Sequence, residues 1–231
     1  MLTICTFNIQ NDYDKYDTSK RDILINFLKK NKIDIYNLQE VYSKIDRDLT
    51  KSLNKLSYTI YGTYRFLIPN RYNERTPIIT NKKVLSNKTY HLPSFPSLMK
   101  RIITKVEIED DGKITSIYNT HLEVRNEKLK EKQLKKILRI IKKDNNQIIL
   151  TGDFNLKTNK EIFNNFVSEL DKLGIKHIDI SDRTLKISKY HRAIDHVFIS
   201  DTFEVIDKKR ITDLDTSDHY PVLIEVDYKQ Q

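Results

Sequence analysis

A chain of 231 residues with 38% hydrophobic and 32% charged residues, only 4 Gly and 5 Pro, suits one globular domain and excludes a disordered or fibrous protein. Its one cysteine, Cys5, excludes an intramolecular disulfide partner, and no stretch approaches the length of a membrane span. A formal charge of +9 favours a polyanionic partner, nucleic acid first, although compositional bias alone would also put lysines on every solvated face.

The chain opens directly on Leu2-Thr3-Ile4, without a charged n-region, a long apolar run or a cleavage site. A cytoplasmic protein is the simplest expectation, with a monomer as default, although a processed chain would look the same. Residues 2–9 alternate as a strand ending at Asn8, and a polar loop follows over 10–18. Thr18 or Ser19 can cap a helix with Ile23, Leu24, Phe27 and Leu28 on one face. Residues 33–38 form the next strand and deliver Gln39 and Glu40; residues 43–56 form a second amphipathic helix. The aromatic, β-branched stretch 58–68 predicts a strand, and 69–73 a loop.

Residues 75–80, 83–91 and 101–109 then read as successive strands, with a proline-containing loop over 92–97. Asp110-Asp111-Gly112 turns the chain into a strand over 113–120. Residues 129–141 predict a helix with an apolar stripe of Leu134, Ile137, Leu138 and Ile141 and a solvated lysine-rich face. Residues 148–151 are a buried strand, 161–173 a helix ended by Gly174, and strands over 194–199, 203–209 and 221–227 complete the chain. The strands come in two batches, each expected to make one sheet. No linker or internal repeat divides residues 1–231, so a single domain is expected.

Chemistry gathers at the strand ends. Gln147-Ile148-Ile149-Leu150 runs into Thr151-Gly152-Asp153-Phe154-Asn155, and alternation points Asp153 and Asn155 the same way off the end. Such a pair can hold a metal, a water or a phosphate oxygen, or be a plain strand-to-loop turn with an Asx cap. Comparable endings are Thr6-Phe7-Asn8-Ile9, Asn37-Leu38-Gln39-Glu40-Val41, Tyr118-Asn119-Thr120-His121-Leu122 and Ile194-Asp195-His196-Val197. A sixth segment, Thr216-Ser217-Asp218-His219-Tyr220-Pro221-Val222, lies just before a strand.

In this order the set resembles the endonuclease/exonuclease/phosphatase family, which includes deoxyribonuclease I, abasic-site nucleases, sphingomyelinases and inositol-phosphate phosphatases. The resemblance spans residues 3–226 and implies a four-layer α/β sandwich, with two mixed, mostly antiparallel sheets face to face and helices outside. It implies metal-dependent hydrolysis of phosphoric esters, with Mg²⁺ the expected cofactor and Mn²⁺ possible for the same hard oxygen ligands. Glu40 matches the family's metal-binding glutamate, and Asn8 and Asp218 match positions that assist it. Asp195 and His219 match the pair that activates water or stabilises phosphoryl charge. Asp153 would hydrogen-bond or deprotonate the attacking water, and Asn155 would donate to a phosphate oxygen.

His121 sides with deoxyribonuclease I and the sphingomyelinases, where abasic-site nucleases tend to have tyrosine. It would donate to a phosphoryl oxygen or protonate the leaving group. Glu74 resembles the glutamate that supports this histidine, with a simple surface Glu as the alternative. Arg192 stands one residue earlier than the common pattern before Ile194-Asp195, which leaves its role open. His196 reads as structural, and His91, His177 and His191 as surface or packing residues. Arg71, Tyr72, Arg75, Lys100 and Arg101 are candidates to track a nucleic-acid backbone. Short loops and the lack of an exposed aromatic hairpin weigh against a lipid substrate. Phospholipid, inositol phosphate or small nucleotide remain alternatives, as does a non-catalytic nucleic-acid-binding module.

Overall fold

The computed structural model describes residues 1–10, 18–65, 73–97, 99–180, 183–186 and 193–230. Arg71, Tyr72, His191 and Arg192 fall outside the described residues, so their expected roles have no structural counterpart here. In chain order the elements begin with β1 (Leu2–Asn8), α1 (Thr18–Lys30), β2 (Ile35–Gln39), β3 (Val41–Tyr42), α2 (Ser43–Leu53), β4 (Thr59–Tyr61), β5 (Glu74–Arg75) and β6 (Ile78–Thr80). They continue through β7 (Lys83–His91), β8 (Ile102–Asp110), β9 (Lys113–His121), α3 (Glu127–Ile141), β10 (Gln147–Asp153) and α4 (Glu161–Asp171). β11 (Ile175–Ile178), β12 (Asp195–Ser200), β13 (Phe203–Arg210) and β14 (Val222–Tyr228) end the fold.

Two six-stranded sheets carry the structure, in the orders β13-β14-β1-β2-β6-β4 and β11-β12-β10-β9-β8-β7. The central strands are buried on both faces, whereas β7 and β13 are largely exposed. Leu2, Ile4, Ile35, Val106, Ile117, Ile149, Val197 and Ile224 meet between the sheets. Phe7, Tyr36 and Leu38 face outward and pack on Leu24, Leu28, Ile45 and Leu49 of α1 and α2. Tyr118, Leu150 and Phe198 do the same against Leu134, Ile137, Phe163 and Phe166 of α3 and α4. The result is the four-layer α/β sandwich. Each fully buried Leu or Ile contributes about 1.5–3 kcal/mol of transfer free energy.

The two batches of strands do not each make one sheet. β12 joins the second sheet, but β13 and β14 return to the first, where β14 pairs antiparallel with β1. β1 is buried along almost all its length and needs a neighbour on both edges, which β2 and β14 supply. The expected strand over 75–80 is divided, because Pro77 has no N–H to give a ladder. Of the expected strand over 58–68, the described part ends at Tyr61, before Gly62 at φ +113°, and residues 66–68 lie outside the described residues. The second helix stops at Leu53 and tightens into a 3-10 turn at Asn54–Leu56, closed by Ser57 at φ 65°. β3, of two residues, and β11, of four, are strands beyond those expected. Thr18 and Ser19 lie inside α1, and its cap falls outside the described residues. No helix among the described residues is long and apolar enough to cross a membrane.

His196 and His177 sit in the aromatic layer under α4. Phe163 lies 4.3 Å from the His196 ring and 5.1 Å from the His177 ring, centroid to centroid. His196 Nε2 lies 2.7 Å from the Leu156 carbonyl and must donate to it, so His196 Nδ1 accepts from His177 Nε2 at 3.2 Å. Burial holds both rings neutral and lowers each pKa from 6.5 to about 4. The unfolded chain therefore binds more protons between those values, and the stability these rings contribute, full above pH 6.5, drains away as pH falls towards 4. Urea midpoints measured at pH 7 and pH 5 should fall more for wild type than for His196→Gln. An equal fall would show that the buried imidazole is not the titrating group.

Candidate active site

The strand faces between the sheets change character along their length. Leu2 and Ile4 give way to Thr6 and Asn8 on β1, and Ile35 to Asn37 and Gln39 on β2. On β9 Ile117 leads to Asn119 and His121, and on β10 Ile149 leads to Thr151 and Asp153. Asp195 terminates the apolar Val197 and Ile199 of β12 at the same end, because it pairs with Asp153 in register. His121 pairs with Asp153 on the other side.

Below the charged ends lies an amide layer that joins the sheets. Gln39 Nε2 donates to Asn119 Oδ1 at 2.7 Å, and Asn119 Nδ2 donates to the Leu38 and Pro77 carbonyls at 2.8 Å each. Asn37 Nδ2 donates to Thr151 Oγ1 at 2.8 Å. Buried polar groups in this layer stay put because each pairing has no water to replace it. Gln39 and Asn119 each stand in a strand-end motif of the sequence, but the contact between them is a property of the packed sheets.

Asn8 Nδ2 donates to Glu40 Oε1 at 3.1 Å and to Asp153 Oδ2 at 3.0 Å, so this amide orients two carboxylates. His121 Nε2 lies 3.6 Å from Asp153 Oδ2 and 3.9 Å from Glu40 Oε1. From the opposite side His219 Nε2 lies 3.8 Å from Asp153 Oδ2 and 4.0 Å from Asp218 Oδ1. His219 Nδ1 donates to Asp195 Oδ2 at 2.8 Å, which fixes the ring. The Thr184 hydroxyl accepts the Asp195 N–H at 3.2 Å, and Ser217 Oγ donates to the Asn8 carbonyl at 2.7 Å. Asn8, Glu40, His121, Asp153, Asp195, Asp218 and His219 thus form one cluster.

Asn155 N donates to Asp153 Oδ1 at 2.9 Å, so the Asx turn exists while Oδ2 still faces the cluster. The Asn155 side chain donates to the Leu122 carbonyl at 3.2 Å. Both Asn155 and Glu40 hold left-handed backbone, at φ 50° and 58°, a conformation that costs about 1–3 kcal/mol and gathers at functional sites. Gly152 has φ +150°, and a Cβ there would lie 2.0 Å from the Thr120 carbonyl oxygen. Gly152→Ala should therefore cost more than about 3 kcal/mol and displace Asp153, read by thermal melting. An unchanged melt would mean the strand can shift without cost.

Glu74 is buried, not a surface residue. It accepts from Arg65 at 2.6 Å, lies 3.6 Å from Arg101, and stands 3.8 Å from His121 Nδ1, which has no hydrogen-bond partner. Arg75 is a correction to the expected backbone-tracking set: its guanidinium is buried in an ion pair with Asp46 and donates to the Gly62 carbonyl. Arg101 is buried behind His121, whereas Lys100 is exposed. Phe95 in the 92–97 loop is 89% exposed. Lys130 was read as part of a solvated face, but it is buried and donates to the Val124 and Asn155 carbonyls. One lysine among many on a helix carries no local signal for this.

Burial, the neighbouring Glu74 and Asp153 raise the pKa of Glu40, and burial raises that of Asp153. Burial opposes charge on His219, but Asp195, Asp153 and Asp218 outweigh it and raise its pKa to about 10. Burial, with Arg101 nearby, holds His121 neutral. Asp195 Oδ1 and Asp218 Oδ1 are buried without hydrogen-bond partners. Asp153, Asp195 and His219 present ligand atoms within 4.8 Å of one another. Crowded carboxylates with orphaned oxygens are a donor set that suits a hard divalent cation.

The profile of the Endonuclease/Exonuclease/phosphatase family matches residues 5–219. No curated protein sequence matches the chain. The fold superposes on an endonuclease/exonuclease/phosphatase from Bacteroides vulgatus at 23% identity and TM-score 0.84, covering 99% of each chain. It also resembles the mannosyl-6-phosphatase Bt3783 of Bacteroides thetaiotaomicron VPI-5482, at 20% identity and TM-score 0.79 over 99% of this chain and 100% of that one. The human Nocturnin catalytic domain gives 17% identity and TM-score 0.80 over 99% and 94%. With the strand-end motifs in one cluster and the profile covering nearly the whole sequence, this chain belongs to the endonuclease/exonuclease/phosphatase family of phosphoester hydrolases.

Proposed function

We propose that the chain is a Mg²⁺-dependent phosphodiester hydrolase of the deoxyribonuclease I type, with nucleic acid as substrate and Mn²⁺ as an alternative metal. The observation that carries this reading is the placement of His121 and His219 on two sides of Asp153, at 3.6 and 3.8 Å. Displacement at phosphorus needs help for the entering water and for the leaving oxygen at separate positions. Glu40 and Asp218, with Asn8 orienting Glu40, would hold the cation, which supplies neutralisation of phosphoryl charge. Asp153 orients the attacking water and draws off its proton. His219, charged and fixed by Asp195, faces the phosphoryl oxygens. His121, neutral, keeps its one N–H on Nε2 for a phosphoryl or leaving oxygen. Asn155 steadies Asp153 through the backbone and keeps a second amide hydrogen for a phosphate oxygen.

A small phosphate ester is the second reading. It is favoured by the engagement of Arg75 and Arg101 with Asp46 and Glu74, which thins the expected backbone track. The fold shared with a mannosyl-6-phosphatase points the same way. Supercoiled plasmid, single-stranded DNA, RNA, bis(p-nitrophenyl) phosphate and mannose 6-phosphate should be incubated with and without Mg²⁺. Cleavage of a polymer that stops when metal is stripped is the expected result. Intact polymers beside hydrolysed mannose 6-phosphate would select the second reading.

A further inference from the structure

We propose that the loops 92–97 and 122–126, with Met99 and Lys100, form a shelf that holds one nucleic-acid strand beside the active site. In it Phe95 stacks on a base, while Arg125 and Lys100 take phosphates. The proposal rests on the nucleic-acid reading above and names how that substrate would be gripped. Both loops leave the site end of the second sheet. The first joins β7 to β8 where His91 pairs with Ile102, and the second follows His121 at the end of β9. Val124 is three residues past His121, so the shelf starts within about 11 Å of that ring's backbone, the length of a few stacked nucleotides.

The shelf is fixed. Leu92 N donates to the Arg101 carbonyl at 2.8 Å, and Ser94 Oγ donates to the Leu92 carbonyl at 3.1 Å. Gln133 of α3 ties the two loops, donating to the Pro93 carbonyl at 2.8 Å and accepting from Glu123 N at 3.0 Å. Lys130 holds the Val124 carbonyl.

Yet this braced surface turns its apolar groups to water. Among the described residues Phe95 is the most exposed large hydrophobic, at 89%, with Val124 at 51% and Met99 at 41%. Arg125 and Lys100 are exposed on the same loops, and Glu123 is buried beneath with its carboxylate turned to the Arg125 N–H. An exposed aromatic ring carried on braced loops that also carry two exposed cations matches a ligand with a π-face on every unit and a phosphate between units. That is a single strand of nucleic acid. One aromatic ring and two cations also give too little apolar area for a lipid surface to be the favoured occupant.

The test is fluorescence anisotropy of a labelled single-stranded oligonucleotide with metal removed, so that binding is read without cleavage. Phe95→Ala should weaken binding roughly ten-fold or more, and Phe95→Trp should restore it. Arg125→Gln should lower the salt dependence by about one counterion. Phe95→Ala should melt like wild type, since the ring is outside the core. Equal binding by wild type and Phe95→Ala, or no binding by wild type, would overturn the shelf. So would Phe95-dependent sedimentation with anionic phosphatidylserine vesicles in the absence of oligonucleotide binding, which would assign the surface to lipid. Hydrolysis of bis(p-nitrophenyl) phosphate by wild type separates the two levels. Turnover without oligonucleotide binding keeps the hydrolase and removes the shelf, and Phe95-dependent binding without turnover does the reverse.

Discussion

Asp153→Asn should lose at least about 10³-fold in turnover, because the carboxylate that orients the water is replaced by a group that cannot accept its proton. The substitution is less conservative than its size suggests. Asp153 accepts at both oxygens, from Asn8 Nδ2 at 3.0 Å and from Asn155 N at 2.9 Å. An amide meets one of these donors with its own N–H₂ whichever way it turns. One buried donor is then left without a partner, at a cost of about 1–3 kcal/mol. Thermal melting should therefore show a modest loss beside the catalytic one, and rates should be compared at a temperature where both proteins are folded. A folded Asp153→Asn with near wild-type rate would remove Asp153 from the chemistry.

His219→Ala should cost about 10³-fold, and added imidazole should return part of the activity, since the cavity and Asp195 remain to seat it. Asp195→Asn tests the orientation. It keeps an acceptor 2.8 Å from His219 Nδ1 if the amide presents its oxygen, but it removes the charge that stabilises the ring's proton. A loss of about 10²–10⁴-fold is expected, by the logic that an orienting carboxylate sets the working tautomer of its histidine. If Asp195→Asn retains full rate while His219→Ala does not, the pair is a structural contact and the ring acts alone. Imidazole should do nothing for Asp153→Asn, which separates a missing base from a missing ring.

The residue types at the strand ends are legible in the chain before any folding is known. Alternation along an extended chain is local, so Leu2-Ile4-Thr6-Asn8 or Ile117-Asn119-His121 place their last polar residue without knowledge of the partner strand. The order of the six endings determined the family in the same way, since order is a property of the chain. Where the charges are used depends on contacts between distant segments. Arg75 looked available beside Glu74, but Asp46, 29 residues earlier, neutralises it within the fold. Lys130 and the solvated lysines of α3 are alike in sequence, and what distinguishes Lys130 is two carbonyls delivered by loops from other strands. Phe95 read as an ordinary loop residue, because its exposure depends on Gln133 and Ser94 bracing the chain around it. The return of β13 and β14 to β1 was likewise invisible, because strand pairing is a contest between distant segments for the same edge, and no local pattern records its outcome.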